Sequence, residues 1–191
     1  MNLPNKLTVA RIIATPLFMA ALAIEFPYHY LVALLIFAAA SLTDLVDGKI
    51  ARSRHLVTDF GKFLDPLADK MLTTAAFLGF LANGIGWQIL WITFIVLFRE
   101  FMISSVRLVL VSSGGGVVPA NIWGKSKTMV QMCGIVLTLF LYMLIDDFGM
   151  TGIQNAADIA ISVVLWIGTV LCIISGATYL IGAKGYINPK K

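Results

Sequence analysis

Charged side chains are scarce in this sequence. Asp, Glu, Lys and Arg together make up 13% of the 191 residues, whereas ordinary globular chains contain about 25%. Hydrophobic residues account for 59%, and several apolar runs approach the roughly 20 residues that a helix needs to cross a bilayer. This composition excludes a soluble domain and favours membrane helices, which satisfy their own backbone hydrogen bonds in lipid.

The chain also has little cysteine and no obvious linker. Cys133 and Cys172 both lie in apolar runs without CxxC spacing, so we interpret them as small core residues rather than as a disulfide or a zinc site. No Pro-, Gly- or Ser-rich stretch divides the sequence, and no internal repeat is present. We therefore expect one domain comprising residues 1–191.

Six apolar segments predict a bundle of six transmembrane helices, at residues 7–25, 30–43, 67–81, 87–111, 129–145 and 159–181. The connections at 25–29, 83–86 and 146–158 contain no Lys or Arg, whereas all 14 basic residues can be placed on the opposite side. The positive-inside rule then puts both termini in the cytoplasm. The same asymmetry explains the net charge of +4 without nucleic acid as a partner.

The first segment begins with polar residues. Pro4, Asn5, Thr8 and Arg11 form an amphipathic start, which is typical of a helix that lies at the membrane interface before it turns inward. A cleaved signal peptide is the alternative, because a short Ala-Leu-Ala sequence follows the apolar run.

Four aspartates border the second and third apolar segments. Asp44 and Asp47 are three residues apart and Asp65 and Asp69 are four apart, so each pair shares one helix face. Ionisable groups at membrane depth cost about 3 kcal/mol each on insertion scales, and divalent cations compensate them most directly. An all-carboxylate cluster favours Mg²⁺ or Mn²⁺ over Zn²⁺. Such ions polarise phosphoryl groups, and we select Asp69 as the general base for an alcohol nucleophile.

Small and basic residues accompany the aspartates. Gly48 and Ala51 would let a nucleotide approach the helix backbone, and Arg52 could bind a phosphate bidentately. Gly61 would clear the opposing helix. Helix packing is the alternative interpretation for each glycine.

Together these residues, at positions 44–69, resemble the signature of the CDP-alcohol phosphotransferase family. That signature consists of D-x-x-D-G-x-x-A-R and G-x-x-x-D-x-x-x-D, separated by eight residues. The resemblance implies attack by an alcohol on the β-phosphorus of a CDP-activated lipid, with CMP as the leaving group. It implies two metal ions held by Asp44, Asp47 and Asp65, with Asp69 as the catalytic base and a further ligand. It also implies a homodimer, and contacts to the CDP moiety from Asp44, Gly48, Arg52 and Gly61.

Basic residues farther along the chain suit an anionic acceptor. They are Arg99, Arg107, Lys125 and Lys127. On a helix Arg99 points roughly 100° away from Glu100, so we expect these two neighbours to have different tasks. Pairing of Arg99 with a buried acid, and membrane anchoring by the lysines, are the alternatives.

With the opening residues 2–11 and the sequence Gly-Lys-Ser-Lys-Thr at 124–128, this pattern resembles one branch of the family, the bacterial phosphatidylglycerophosphate synthases. The resemblance implies CDP-diacylglycerol as the donor and sn-glycerol 3-phosphate as the acceptor. The acceptor phosphate would face the four basic residues, at the cytoplasmic side of the bacterial inner membrane.

Other acceptors and other classes stay open. Relatives that use inositol phosphate also need a basic pocket, and serine is a further alternative acceptor. A polyprenyl transferase combines acidic motifs with Mg²⁺ in a helical bundle, although the Gly48, Ala51 and Arg52 pattern has no role in that chemistry. A small transporter would also keep charges within the membrane, but repeated halves around a midplane site are expected of it.

Overall fold

The computed structural model describes residues 2–53, 58–112 and 122–184. Within these ranges it leaves the side chains of residues 3, 45–53, 59, 60, 62 and 63 undescribed. The roles expected for Asp47, Gly48 and Arg52 therefore lie outside the described side chains.

The described part of the chain forms six α-helices and no strand. They are α1 Leu3–Ala23, α2 His29–Ser53, α3 Asp59–Ala82, α4 Ile89–Ser112, α5 Ile122–Tyr142 and α6 Gln154–Ala183. A π-helical turn at Met143–Asp147 extends α5, and a 3₁₀ turn at Thr151–Ile153 leads into α6. Each predicted apolar segment overlaps one of these helices, which confirms the all-α class.

Side-chain caps set the starts of α1 and α3. The Asn2 side chain accepts a hydrogen bond from the backbone N–H of Asn5 at 3.1 Å, and Pro4 lies in the first turn, where a missing N–H costs little. Thr58 caps α3 in the same way, because its hydroxyl oxygen accepts from the N–H of Gly61 at 3.1 Å.

The helices pack around one main core. α1 packs against α2 and α3, α6 packs against α5 and α4, and α2 also meets α5. Every helix contributes at least one fully buried side chain to this core, for example, in chain order, Phe18, Phe37, Phe77, Ile92, Ile135 and Cys172. The position of α1 between α2 and α3 brings the two aspartate-bearing helices to the same part of the bundle.

Three of the described helical stretches are long and apolar enough to cross a membrane, namely Pro4–Ala23, Ile122–Asp147 and Thr151–Ala183. In α2 a shorter stretch, His29–Asp44, is apolar. The outside of the bundle carries large apolar side chains; Trp87, Ile122 and Ile181 are 80%, 74% and 74% exposed. Extensive exposed apolar surface marks contact with an apolar phase, so the protein is membrane-embedded.

The polar start of α1 faces the protein interior instead of a membrane surface. Asn5, Thr8 and Arg11 are only 6%, 1% and 2% exposed, and α1 runs from Leu3 to Ala23 without interruption. Neighbouring parts of the bundle supply these side chains with polar partners, and α1 shows no turn after its polar start. The position of this start relative to the membrane interface stays a prediction.

Candidate metal and phosphate site

The predicted aspartates flank α1. Asp44 lies on α2, and Asp65 and Asp69 lie one turn apart on α3, which continues without a break through Pro66. Asp65 is exposed, and Asp44 and Asp69 are partly exposed. Asp69 interacts electrostatically with Asp44, so acids from two different helices share one region.

Asp44 forms an ion pair with the first helix. One guanidinium nitrogen of Arg11, Nη1, lies 2.5 Å from Asp44 Oδ1. The Arg11 side chain is almost completely buried, whereas that of Asp44 is 44% exposed. A buried cation needs such a partner, because an isolated charge away from water is costly.

Asp65 is bound by the same helix through a hydroxyl group. Thr8 Oγ1 donates a hydrogen bond to Asp65 Oδ1 at 2.6 Å. The backbone carbonyl of Pro4 is also within reach, at 3.1 Å. A hydroxyl has only one proton to donate, and the shorter, charge-assisted bond to the carboxylate is the stronger of the two.

Asn5 connects α1 to the cap of α3. Its Nδ2 donates to Thr58 Oγ1 at 2.9 Å, and the Thr58 hydroxyl lies 3.2 Å from Asn5 Oδ1. A Cβ at Gly61 would lie 2.8 Å from that same Oδ1, closer than atoms in contact can lie. Gly61 thus has a packing role here, because its missing side chain lets α1 approach α3.

The described donor atoms suit a hard metal ion. Asp44, Asp65 and Asp69 supply only carboxylate oxygens, the ligands that Mg²⁺ and Mn²⁺ prefer. Among the described side chains, no three acidic groups lie close enough together to form a closed metal site. Asp47, the other predicted ligand, lies outside those side chains.

Glu100 on α4 joins two of the predicted basic residues. Its Oε1 accepts a hydrogen bond from Arg99 Nη1 at 2.8 Å and another from Nζ of Lys127 on α5. Arg99 Nη2 also donates to Ser175 of α6, at 2.8 Å. Arg99 therefore pairs with an acid, which is the alternative stated for this residue, because the long guanidinium side chain reaches round the helix to its neighbour. The expected difference between the tasks of Arg99 and Glu100 stays a prediction.

Lys70 brings this basic cluster next to the aspartates. It directly follows Asp69, and its Nζ donates to the Ser104 hydroxyl of α4. Ser104 in turn donates to the backbone carbonyl of Glu100 at 2.7 Å. Asp69 also interacts electrostatically with Lys127, so the acidic and basic groups form adjoining parts of one region.

The other predicted basic residues are exposed. The guanidinium carbon of Arg107 on α4 lies 6.0 Å from the ring centroid of Tyr179, a cation–π distance. Lys125 is exposed at the start of α5, whereas Lys127, two residues later, is buried. The structure thus brings Arg99 and Lys127 into one hydrogen-bonded cluster and leaves the side chains of Arg107 and Lys125 accessible.

Sequence reasoning missed the polar partners of the aspartates. Their pattern in the sequence predicts a membrane interface for Asn5, Thr8 and Arg11, and it predicts no binding role for Lys70 or Ser104. The available signal was the spacing of three residues between successive polar side chains in α1, which places them on one side of a helix.

This membrane bundle carries acids on two helices, next to a cluster of cations that are partly or fully buried. Such an arrangement suits an enzyme that acts on charged lipid head groups. Residues 1–178 match the family described as CDP-alcohol phosphatidyltransferase. Because this match covers most of the chain, the protein belongs to that family.

Curated bacterial proteins are similar over nearly the whole length. A protein of Bacillus subtilis (strain 168), named CDP-diacylglycerol–glycerol-3-phosphate 3-phosphatidyltransferase, is 38% identical over 93% of this chain and 93% of its own. A protein of the same name from Rickettsia bellii (strain RML369-C) is 36% identical over 97% of both chains. A probable phosphatidylglycerophosphate synthase of Mycobacterium tuberculosis (strain ATCC 25618 / H37Rv) is 35% identical over 94% of this chain and 80% of its own.

Proposed function

We propose that the protein transfers the phosphatidyl group of CDP-diacylglycerol to a hydroxyl group of sn-glycerol 3-phosphate, which yields phosphatidylglycerophosphate and CMP. The observation that carries this proposal is the similarity, over 93% and 97% of the chain, to relatives named for that reaction. The basic cluster beside the aspartates supports it, because an acceptor that carries a phosphate needs cations close to the reacting hydroxyl.

Four carboxylates would hold two divalent metal ions, Mg²⁺ or Mn²⁺. They are Asp44, Asp47, Asp65 and Asp69, and their oxygen donors fit such ions. Bound there, the ions supply positive charge that stabilises the phosphoryl group under attack and the departing phosphate.

Asp69 would act as the general base. It takes the proton of the acceptor hydroxyl while that oxygen forms a bond to the β-phosphorus of the donor. The bond between the β-phosphorus and the oxygen bridging to CMP breaks, and CMP leaves with the electron pair.

Two further groups of residues would bind the substrates. The CDP moiety would contact Asp44, Gly48, Arg52 and Gly61, with the Arg52 guanidinium on a phosphate. The acceptor phosphate would be bound by Arg99, Arg107, Lys125 and Lys127. Glu100 neutralises one of the two cations that it contacts, Arg99 and Lys127. The two cations together would therefore keep a net positive charge for the substrate.

All six helices would cross the bacterial inner membrane, with both termini and the aspartates on the cytoplasmic side. The distribution of basic residues supports this orientation. The donor would keep its acyl chains in the cytoplasmic leaflet while its pyrophosphate reaches the aspartates. The chain would work as one domain and as a homodimer.

A head-group competition tests the proposed reaction. Purified protein in lipid nanodiscs receives CDP-diacylglycerol with a labelled phosphatidyl group, Mg²⁺ or Mn²⁺, and equal amounts of glycerol 3-phosphate, inositol phosphate, serine and glycerol. We expect labelled phosphatidylglycerophosphate as the main product, with one CMP released per product.

Each other outcome rejects a defined part of the proposal. A different labelled phospholipid would overturn the acceptor and leave the family chemistry in place. No CMP release with any acceptor would contradict the transferase reaction itself. Turnover that survives removal of all divalent metal by a chelator would contradict the proposed metal ions.

A further inference from the structure

One face of α1 carries three polar side chains that each contact a different part of the aspartate region. Asn5, Thr8 and Arg11 are three residues apart, lie on one side of the helix and are buried. Their partners are the cap residue Thr58, the carboxylate of Asp65 and a further carboxylate on α2. Packing alone would favour apolar residues at such buried positions, because polar groups there must recover their lost hydration.

We propose that Thr8 and Arg11 are positioning residues for the metal-binding carboxylates. Thr8 fixes the orientation of Asp65, and Arg11 supplies the counter-charge to Asp44 while no metal is bound. This inference rests on the proposed function, since it takes Asp44 and Asp65 to be metal ligands.

The Thr8 hydrogen bond leaves Asp65 able to bind a metal. It uses Oδ1 of the carboxylate, and an ionised carboxylate has about four lone-pair sites on its two oxygens. Donation to one site therefore orients the group without consuming it. Partners that orient metal ligands in this way typically change metal affinity by about 10- to 100-fold when they are removed.

Arg11 has a different relation to the metal. Its guanidinium and a metal ion are both positive, and both bind Asp44, so the ion pair stabilises the metal-free protein more than the metal-bound protein. Loss of Arg11 would leave Asp44 beside the other acids without its cation. The metal would then contribute a larger share of the stability of the folded chain.

Substitutions of Thr8 test its positioning role. We compare Thr8→Val, which removes the hydroxyl, with Thr8→Ser, which keeps it. The matched control is Thr15→Val, because Thr15 is also buried in α1 and its hydroxyl donates only to a backbone carbonyl, that of Arg11, at 3.0 Å. Mn²⁺ binding to the full-length protein in nanodiscs is measured directly by electron paramagnetic resonance of the free ion.

For Thr8→Val we expect the Mn²⁺ dissociation constant to rise about 10-fold or more. Thr8→Ser and Thr15→Val should stay within about twofold of the unsubstituted protein. If Thr8→Val binds Mn²⁺ as tightly as Thr15→Val does, Thr8 has only a packing role and the inference is rejected for this residue.

Thermal unfolding with and without saturating Mn²⁺ tests Arg11. In Arg11→Met the melting temperature of the metal-free protein should fall more than that of the Mn²⁺-bound protein, so the shift caused by Mn²⁺ grows. Arg11→Lys keeps the positive charge but lacks the planar fork of the guanidinium group, so we expect an intermediate Mn²⁺-induced shift in melting temperature. The same variant replaces Arg11→Met in the test if Arg11→Met does not fold. An unchanged Mn²⁺ shift in the folded variant would reject the counter-charge role.

Asp65→Asn separates this inference from the proposed function. If Asp65→Asn binds Mn²⁺ like the unsubstituted protein, Asp65 is not a ligand and the proposed metal site is wrong. If Asp65→Asn loses Mn²⁺ binding while Thr8→Val keeps it, the metal site stands and only the positioning role fails.

Discussion

Asp69 lies where the acidic and the basic groups adjoin. It interacts electrostatically with Asp44 and Arg11, and also with Glu100 and Lys127. A carboxylate in this position can receive a proton from the acceptor hydroxyl while nearby cations bind the acceptor phosphate. The assignment of Asp69 as the base stays a prediction, which the following substitution tests.

Asp69→Asn should abolish measurable turnover, because the amide cannot accept the proton of the acceptor hydroxyl. General-base catalysis typically raises the reaction rate by about 10²- to 10⁴-fold. CMP release from CDP-diacylglycerol measures the loss. Asp158→Asn is the control, since that carboxylate lies on α6, outside the predicted site, and accepts a hydrogen bond from the Tyr142 hydroxyl at 3.2 Å. Substantial activity in a folded Asp69→Asn protein would refute the assignment of the base.

The sequence predicts which aspartates share a helix face, but it does not predict which side chains contact them. The aspartate pairs follow from helical periodicity, which is local and can be counted. The bonds from Thr8 and Arg11 depend on how α1 docks, which no spacing within α1 specifies. The sequence leaves pairing of Arg99 with a buried acid open but does not identify Glu100 as the partner. Adjacent residues point in different directions on a helix, and only the length of the arginine side chain overcomes that.

At the level of helices, α1 and α3 touch closely at Gly79. A Cβ at this position would collide with the buried side chain of Leu22. The contact continues at Asn5 and Gly61, so two glycines of α3 set its distance from α1. This interface carries the hydrogen bonds that the positioning role requires.

Gly79→Ala should lower thermal stability, because overpacking a tight contact costs about 1–3 kcal/mol, more than the roughly 1 kcal/mol that alanine gains in a helix. Gly152→Ala is the matched control, since a Cβ there meets no atom within 4 Å. The melting temperatures of the two variants in the same detergent are compared. Equal values would contradict the close α1–α3 packing.

The two lysines at the start of α5 differ in burial, and only the buried one, Lys127, is bonded to Glu100 of α4 in the described structure. Lys127→Met should lower the free energy of unfolding by about 1–3 kcal/mol, because Glu100 loses one of its two charged donors in a largely buried position. Lys125→Met should leave stability unchanged, since Lys125 is exposed. Chemical denaturation of both variants measures the difference, and equal losses would show that the Lys127–Glu100 bond contributes no stability.

The sequence predicts the helices better than it predicts how they pack against one another. The apolar runs predict the positions of all six described helices. However, α2 continues to Ser53 and α3 already begins at Asp59, so both helices extend into the polar signature. Hydropathy could not show this, because charged residues that serve a site interrupt the apolar pattern without interrupting the helix.

On the scale of the whole molecule, the proposed orientation requires α5 to cross the membrane. Labelling of single cysteines by a membrane-impermeant maleimide tests this, in a background where Cys133 and Cys172 are replaced by alanine. Lys125→Cys should react only in inside-out vesicles and Thr151→Cys only in right-side-out vesicles. Reaction of both from the same side would contradict the orientation.

The ion pair between Arg11 and Asp44 also bears on how the chain enters the membrane during synthesis. α1 leaves the ribosome before α2, and an arginine at membrane depth costs about 2.5–3.5 kcal/mol on insertion scales. Its acidic partner arrives with the very next helix, α2. We expect α1 and α2 to leave the translocon together as a helical hairpin, so this ion pair would already form during membrane insertion.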